Sequence, residues 1–336
     1  MSSAKRDNPK RLLGIGNALV DILVRIEDDS LLAELGLSKG GMTLIDKENV
    51  RIILEKTAHL NQYKSSGGSS ANMVSGLARL GMPVGFIGTV GDDEFGHFFR
   101  SDLLSMSVDA HLYKGDSETG KSISLISKDA ERTMATFLGA ANELFKCDID
   151  GELFKRYDYL LAEAYLIPYR ELIDTVFQSA KKNGIEIVMD LSSFSTVEEN
   201  KEYLDSLLSR FVDIVLANED EARTFTDRED PREALAEIAK LCKIAVVKCG
   251  EKGSYIQHES RQYRIDPISI KAIDTTGAGD LYAAGFMYGL MNGHSVEISG
   301  KMGSCVGGKV VEVIGAKMHD HKWKEIGGLI QSCVLP

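Results

Sequence analysis

From Ala141 onward, short unbroken runs of Val, Ile and Leu alternate with amphipathic stretches long enough to be helices, and this rhythm constrains the fold more than any other feature. The spacing predicts strands at Tyr159–Ala164, Glu186–Asp190, Ile214–Ala217 and Ile244–Lys248. It predicts helices at Arg170–Lys182, Asn200–Arg210, Pro231–Leu241 and Asp280–Met291. A strand with no polar alternate face has to be covered on both sides, so these runs belong to a parallel sheet with helices on both faces. Earlier in the chain, Arg11–Ile15 and Val84–Val90 read as further strands, and Asn72–Leu80 and Glu94–Ser105 as further helices. The expected fold class is α/β: a doubly wound, mostly parallel sheet flanked by helices. A chain of 336 residues, 43% of them hydrophobic, can bury such a core, and residues 1–336 read as a single domain.

Two regions break the rhythm, at about 22–48 and 108–138. Lys121-Ser-Ile-Ser-Leu-Ile-Ser127 alternates polar and apolar residues, the pattern of a half-exposed strand. Two insertions carrying such strands beside one doubly wound core imply a small separate sheet that acts as a lid.

The formal net charge of −11 argues against nucleic acid or an anionic membrane as the main partner. Met1–Lys10 lacks the apolar core of a signal peptide, and no 18-residue apolar run exists, so a cytoplasmic protein is expected. Five cysteines without a C-x-x-C pair fit reduced thiols. His319 and His321 read as a solvated turn rather than a metal site.

Asp274-Thr-Thr-Gly-Ala-Gly-Asp280 precedes an apolar, helix-like run. Unpaired N–H groups at a helix N-terminus attract anions, and a first turn of Gly277, Ala278 and Gly279 lets a phosphate approach closely. Asp280 would repel that phosphate as a ligand. As a base that orients and deprotonates an attacking hydroxyl it makes sense, the bland alternative being a helix-capping aspartate in a Gly-rich loop. A second phosphate motif is a decoy. Gly115-Asp-Ser-Glu-Thr-Gly-Lys-Ser122 matches G-x-x-x-x-G-K-[ST], but a working P-loop opens a helix, whereas Lys121–Ser127 has a strand pattern.

Three other clusters suit a polyol and a metal. Asn17 and Asp21 follow the first strand, and an amide with a carboxylate can grip two vicinal hydroxyls. Gly67 and Gly68 form a turn that permits close backbone approach, with Asn72 one helical turn later; a plain loop and N-cap is the other reading. Asn218 and Glu221 follow a strand at its carboxyl end, where open α/β sheets bind ligands, and could hold waters of Mg²⁺. Taken alone, N-x-x-E is also an ordinary helix start.

Together these segments resemble the ribokinase-like, PfkB-type family of sugar and nucleoside kinases, in order and over nearly the whole chain. Asp274–Met287 matches the family's carboxy-terminal signature, Gly67–Gly91 resembles its glycine signature, and Asn218–Glu221 its N-x-x-E motif. The resemblance implies ATP with Mg²⁺, Asp280 as catalytic base, and an anion hole at Gly277–Gly279. It implies that Asn17, Asp21, Gly67, Gly68 and Asn72 hold the acceptor. Val246-Val-Lys-Cys-Gly-Glu-Lys-Gly253 is similar to the family's turn beneath ATP, so Lys248, Gly250 and Gly253 would meet the nucleotide, although the family often has threonine in place of Lys248. Ser304–Gly315 would form a final helix-like stretch on the adenine side. Asp274 and Thr276 would help to bind a monovalent cation such as K⁺, as in some relatives.

Gly16-Asn17 ahead of Asp21, and Glu131–Asn142, resemble the adenosine kinase branch, which implies Arg132 closing onto the transferring phosphate. Against it, Glu163 stands where some sugar kinases use a glutamate on the sugar. The expectation is ATP-dependent phosphorylation of a ribonucleoside 5′-hydroxyl, most readily adenosine, with a ribokinase- or fructokinase-type sugar kinase as the alternative. An inactive relative that binds nucleoside or sugar as a regulatory module is a rival from another class. A Rossmann dehydrogenase is disfavoured because Gly14-Ile-Gly16 lacks the third glycine. A lid sheet of this kind can cover a monomer's site or pair two copies in a homodimer.

Overall fold

The computed structural model describes residues 9–129 and 131–334, so most of the Met1–Lys10 reading lies outside the described residues. Its strands are β1 (Leu12–Ile15), β2 (Leu19–Arg25), β3 (Met42–Leu44), β4 (Gln62–Gly67), β5 (Val84–Val90), β6 (Asp109–Lys114) and β7 (Gly120–Ile126). They continue as β8 (Arg132–Phe137), β9 (Tyr159–Glu163), β10 (Glu186–Asp190), β11 (Ile214–Asn218), β12 (Ile244–Lys248), β13 (Ser254–His258) and β14 (Arg261–Ile265). The helices are α1 (Ser30–Glu34), α2 (Lys47–Lys56), α3 (Ser69–Arg79), α4 (Glu94–Ser105), α5 (Arg170–Lys182) and α6 (Phe194–Phe211). After them come α7 (Glu219–Thr226), α8 (Pro231–Ile238), α9 (Ala278–Met291), α10 (Val296–Val310) and α11 (Asp320–Val334).

The main sheet has the order β14-β13-β12-β11-β10-β9-β1-β5-β6 and is parallel from β12 to β6; β13 and β14 add an antiparallel edge. Consecutive residues of one strand serve opposite cores. Leu12, Val188, Leu216 and Val246 pack on the side of α3, α9 and α10, whereas Leu13, Ile187, Val215 and Val247 pack on the side of α5 to α8. That is why these strands carry no polar alternate face, and the doubly wound α/β fold expected from the alternation is the fold observed.

The smaller sheet has the order β3-β8-β7-β2-β4, and its boundaries differ from 22–48 and 108–138. β6, inside the second segment, pairs with β5 in the main sheet, while β4, beyond the first segment, pairs with β2. β7 is buried at every position instead of half-exposed. On one face Ile123 and Leu125 join the core beneath α1 and α2; on the other Ser122 and Ser124 are buried on the face that also carries Asp21. Alternation therefore marks a strand whose polar face is functional or sheltered as readily as one that is solvated.

Lys121 of the P-loop look-alike is in β7, on the core face. Its ammonium lies 4.7 Å from the Phe95 ring centre and 5.7 Å from that of Phe137, and it donates to the Thr119 carbonyl at 3.1 Å. No helix starts there. α6 begins at Phe194, six residues before the expected start, because the Ser193 hydroxyl accepts from Thr196 N and caps it. The break the sequence placed at Asn200 survives as a kink, where the Asn200 amide donates to the Thr196 carbonyl. The expected Ser304–Gly315 stretch is the end of α10 and a turn, and α11 follows. Among the described residues no helix is long and apolar enough to cross a membrane.

Candidate active site

Four neighbouring parallel strands end in a polar or charged residue at the same edge of the main sheet: Glu163 on β9, Asp190 on β10, Asn218 on β11 and Lys248 on β12. Apolar strand interiors fix these last positions, where the chain leaves the sheet and the side chains converge. The N-terminus of α9 points into the same region. Gly277 caps it with φ +70°, a conformation that glycine adopts without strain, and a Cβ there would lie 2.6 Å from that of Ala316. Ala278, Gly279 and Asp280 are the first helical residues, so their N–H groups face a site without bulky side chains.

Asp280 is held by α3. Its Oδ1 accepts from Ser69 Oγ at 2.8 Å, and its Oδ2 from Asn72 Nδ2 at 3.0 Å. Burial pushes the Asp280 carboxyl up to about 6, with Asp190 adding to the rise and the Asn72 hydrogen bond opposing it. Asn72 was expected on the acceptor, yet its amide nitrogen orients Asp280. Among the described residues its buried Oδ1 has no hydrogen-bond partner, so it can accept one from a ligand.

Beside Asp280 lies a charged group that sequence reading assembled only in part. Lys248 Nζ donates to Asp190 Oδ2 at 2.8 Å. The same Nζ is 3.2 Å from where a Cβ on Gly279 would be, so the ammonium sits against the first turn of α9. Glu221 is 2% exposed, and its Oε2 and Oε1 accept from Asn218 N and Nδ2 while Asn218 Oδ1 accepts from Glu221 N. This is a capping box, the bland reading of N-x-x-E, built where it also delivers a carboxylate to the site. Burial, then the Asp190 charge, raises the Glu221 carboxyl well above its usual range. Burial disfavours the charge on Lys248, but Asp190 and Glu221 outweigh it and its pKa is raised. Three carboxylates around one ammonium leave an excess of negative charge, the donor chemistry that a hydrated Mg²⁺ fits. Among the described residues no set of three His, Cys, Asp or Glu side chains is arranged to chelate a metal directly.

The smaller sheet brings Asp21. β2 aligns it with Ser65 and Ser122, and burial pushes its carboxyl up to about 6 against the pull of Arg132 and Lys317. Gly67 and Gly68 make room for the protein itself: a Cβ on Gly67 would lie 2.2 Å from the Asp21 carboxyl carbon, and one on Gly68 2.1 Å from the Asn17 carbonyl. Gly68 also has φ +96°. This close fit on Asn17 and Asp21 stands beside their expected approach to a polyol. Arg132 opens β8, its Nε donating to Ser124 Oγ at 2.9 Å on the same face as Asp21.

Glu163, expected on the acceptor, is 0% exposed. Its two oxygens accept from Asn17 N at 2.8 Å and Ser70 N at 2.7 Å, so it braces the β1–β2 turn against the start of α3. Burial pushes its carboxyl up to about 7. Asn17 is itself buried, tied to Glu163 through its backbone.

The other expected residues frame the rim. Gly250 (φ +54°) and Gly253 (φ +90°) shape the turn after β12. Ser304 Oγ donates to the Asp266 carbonyl at 3.0 Å. Asp274 accepts from Thr276 N, Thr276 Oγ1 and Gly315 N, so it closes the loop before α9. Sequence reading missed Asp190, Ser69 and Lys317. Asp190 had a signal, a carboxylate ending the apolar run Ile187-Val-Met-Asp190. Lys317, whose Nζ donates to Ser75 Oγ and whose ammonium burial brings down to about 8, follows a turn and had none.

Comparison with known proteins fits this geometry. The pattern of the pfkB family carbohydrate kinases matches residues 47–322. A 5-dehydro-2-deoxygluconokinase of Halalkalibacterium halodurans is 29% identical over 295 residues, covering 83% of this chain and 88% of that protein. Adenosine kinase 2 of Arabidopsis thaliana is 26% identical over 327 residues, covering 90% and 94%. Among solved structures, the adenosine kinase of Sinorhizobium meliloti superposes with a TM-score of 0.86 at 32% identity, covering 96% and 99%. Such kinases use ATP and usually Mg²⁺. The match over most of the chain, on a sheet that gathers Asp280 and its neighbours at one edge, means that this protein belongs to the pfkB family of carbohydrate kinases.

Proposed function

We propose that the chain transfers the γ-phosphoryl group of ATP to the 5′-hydroxyl of a ribonucleoside, with adenosine the preferred acceptor. One observation carries the reading. The inner face of the smaller sheet joins a carboxylate, Asp21, to the apolar side chains Leu23 and Met134, aligned through Ser122 and Ser124. A carboxylate next to apolar surface suits a ribose bearing a flat base better than a free sugar, which would leave the apolar part uncovered. The adenosine kinase likeness at 32% identity supports the same choice.

In this mechanism Asp280 accepts the proton of the acceptor hydroxyl as the oxygen attacks the γ-phosphorus, and the bond to the β-phosphate oxygen breaks. A carboxyl pKa of about 6 suits the task, because the group is ionised near neutrality yet basic enough to take a proton. Ser69 and Asn72 hold it in orientation. The N–H groups at Gly277–Gly279 take up charge that develops on the phosphoryl oxygens. Asn218 and Glu221 would hold Mg²⁺ through waters, and the ion when bound would offset phosphate charge. The smaller sheet works as a lid, with Arg132 moving in as it closes and excludes water that would otherwise hydrolyse ATP.

A second reading is favoured by one feature: Arg132 and Lys317 both bear on Asp21, and two cations beside one carboxylate would suit a sugar acid. The relative from Halalkalibacterium halodurans is named for such a substrate. Product formation from ATP with adenosine, inosine, guanosine, ribose, fructose and 5-dehydro-2-deoxygluconate separates the readings. Adenosine is expected to give the highest kcat/KM; preference for the acid would replace the nucleoside reading with the second.

A further inference from the structure

We propose that Lys248 is the cation that meets the transferred γ-phosphoryl group at the first turn of α9, and that Asp190 is its positioning residue. The proposal rests on the kinase reading but not on the choice of acceptor. β12 ends at Lys248 and β10 at Asp190, with β11 between them, so the pair spans two strand ends that the sheet holds rigidly. The two side chains are only 13% and 5% exposed. Asp190 is fixed from its own loop: Oδ1 accepts from Ser192 N at 2.9 Å, leaving Oδ2 to hold Lys248 Nζ at 2.8 Å. An ammonium has three N–H donors, and among the described residues Asp190 is the acceptor that Nζ meets, so donors remain for a ligand. A buried ammonium with unspent donors gains most from a charged acceptor.

The location supplies that acceptor. Nζ lies 3.2 Å from the Cβ position of Gly279, beside N–H groups that already favour an anion. A side chain on Gly279 would crowd the ammonium and narrow the way to it. The lysine of the P-loop look-alike cannot serve here, because Lys121 lies on the core face of β7 between two aromatic rings. A lysine acts as a compact point charge, which suits a phosphoryl group whose charge spreads over three oxygens. The competing account is a buried ion pair that only joins two strand ends.

Titration with Mg²⁺ and either ADP or the non-hydrolysable triphosphate AMP-PNP, without acceptor, decides between them. Wild type is expected to prefer the triphosphate. Lys248→Met should weaken AMP-PNP by about tenfold or more and ADP by less than about threefold, since a charged hydrogen bond to the γ-phosphate is lost. Asp190→Asn should lower the triphosphate preference several-fold in the wild-type background and not at all in the Lys248→Met background. The double variant removes both charges, so its melting temperature should recover towards wild type while the triphosphate preference stays lost. An unchanged preference in Lys248→Met, equal weakening of both nucleotides, or recovery of the preference in the double variant would overturn the γ-phosphate role. Independent, additive effects of the two substitutions would overturn the positioning role of Asp190. Adenosine failing as an acceptor leaves these readings intact, whereas wild-type protein that binds neither nucleotide overturns the kinase reading and this proposal with it.

Discussion

Asp280 shows how one side chain is tuned by surroundings that its local sequence does not contain. Gly277 to Asp280 were legible because the motif is contiguous and a helix N-terminus has one electrostatic sense. Ser69 and Asn72, which hold the carboxylate, are more than 200 residues away in the chain, and nothing near Asp280 announces them. Burial raises the Asp280 carboxyl against the pull of these two hydrogen bonds, and the outcome is measurable. A carboxyl raised to about 6 is ionised above that pH and protonated below it, and only the ionised form can act as a base. Turnover with saturating substrates should therefore be flat above neutrality and fall about tenfold per pH unit below 6. Asp280→Asn should retain nucleotide binding and lose about 10²–10⁴ in kcat above neutrality, and its residual turnover should lack that acid limb, so the loss narrows below about pH 6. More than half of wild-type turnover in this variant would dismiss the role of Asp280.

At the scale of elements, sequence reading succeeded where burial follows the strand or helix period and failed where a polar pattern had a private reason. The strands from β9 to β12 were legible because both faces are apolar. β7 was misread as half-exposed: its alternation is real, but its polar residues face the site and its lysine is enclosed by aromatic rings. α6 was shortened because its first turn, Phe194-Ser-Thr-Val197, is made of weak helix formers and a kink at Asn200 resembles a helix start. The look-alike P-loop follows the same logic, because its letters match while its backbone enters a strand. Lys121→Met keeps the length of the side chain among Phe95 and Phe137 and should leave ATP affinity unchanged, whereas Lys121→Ala opens a gap and should cost about 1–3 kcal/mol of stability. Denaturant unfolding with nucleotide titration checks both. Loss of ATP binding by a folded Lys121→Met protein would restore the P-loop hypothesis.

Across the whole molecule, catalysis by this reading needs two sheets to meet, since Asp280 opens α9, which packs on the main sheet, and Asp21 belongs to the smaller one. That meeting was only half legible. Asn17, Asp21, Gly67 and Gly68 were found as polar and glycine clusters, but their mutual fit, and the Glu163 brace beneath them, depend on contacts across 93 and 146 residues of chain. The arrangement has a consequence for acceptor recognition. If Asp21 accepts hydrogen bonds from the ribose hydroxyls, a charged acceptor of this kind contributes about 1.5–3 kcal/mol to transition-state binding, and Asp21→Ala should lower kcat/KM accordingly while ATP affinity stays. With wild type, 2′-deoxyadenosine should be a poorer acceptor than adenosine, because the missing hydroxyl leaves a sheltered carboxylate oxygen without its donor. In Asp21→Ala there is no carboxylate to strand, so the ratio of kcat/KM between the two acceptors should fall towards one. Lid closure lost for other reasons would slow both acceptors alike and preserve the ratio. An unchanged ratio would therefore remove Asp21 from sugar recognition and, with it, the argument that the smaller sheet reads the acceptor.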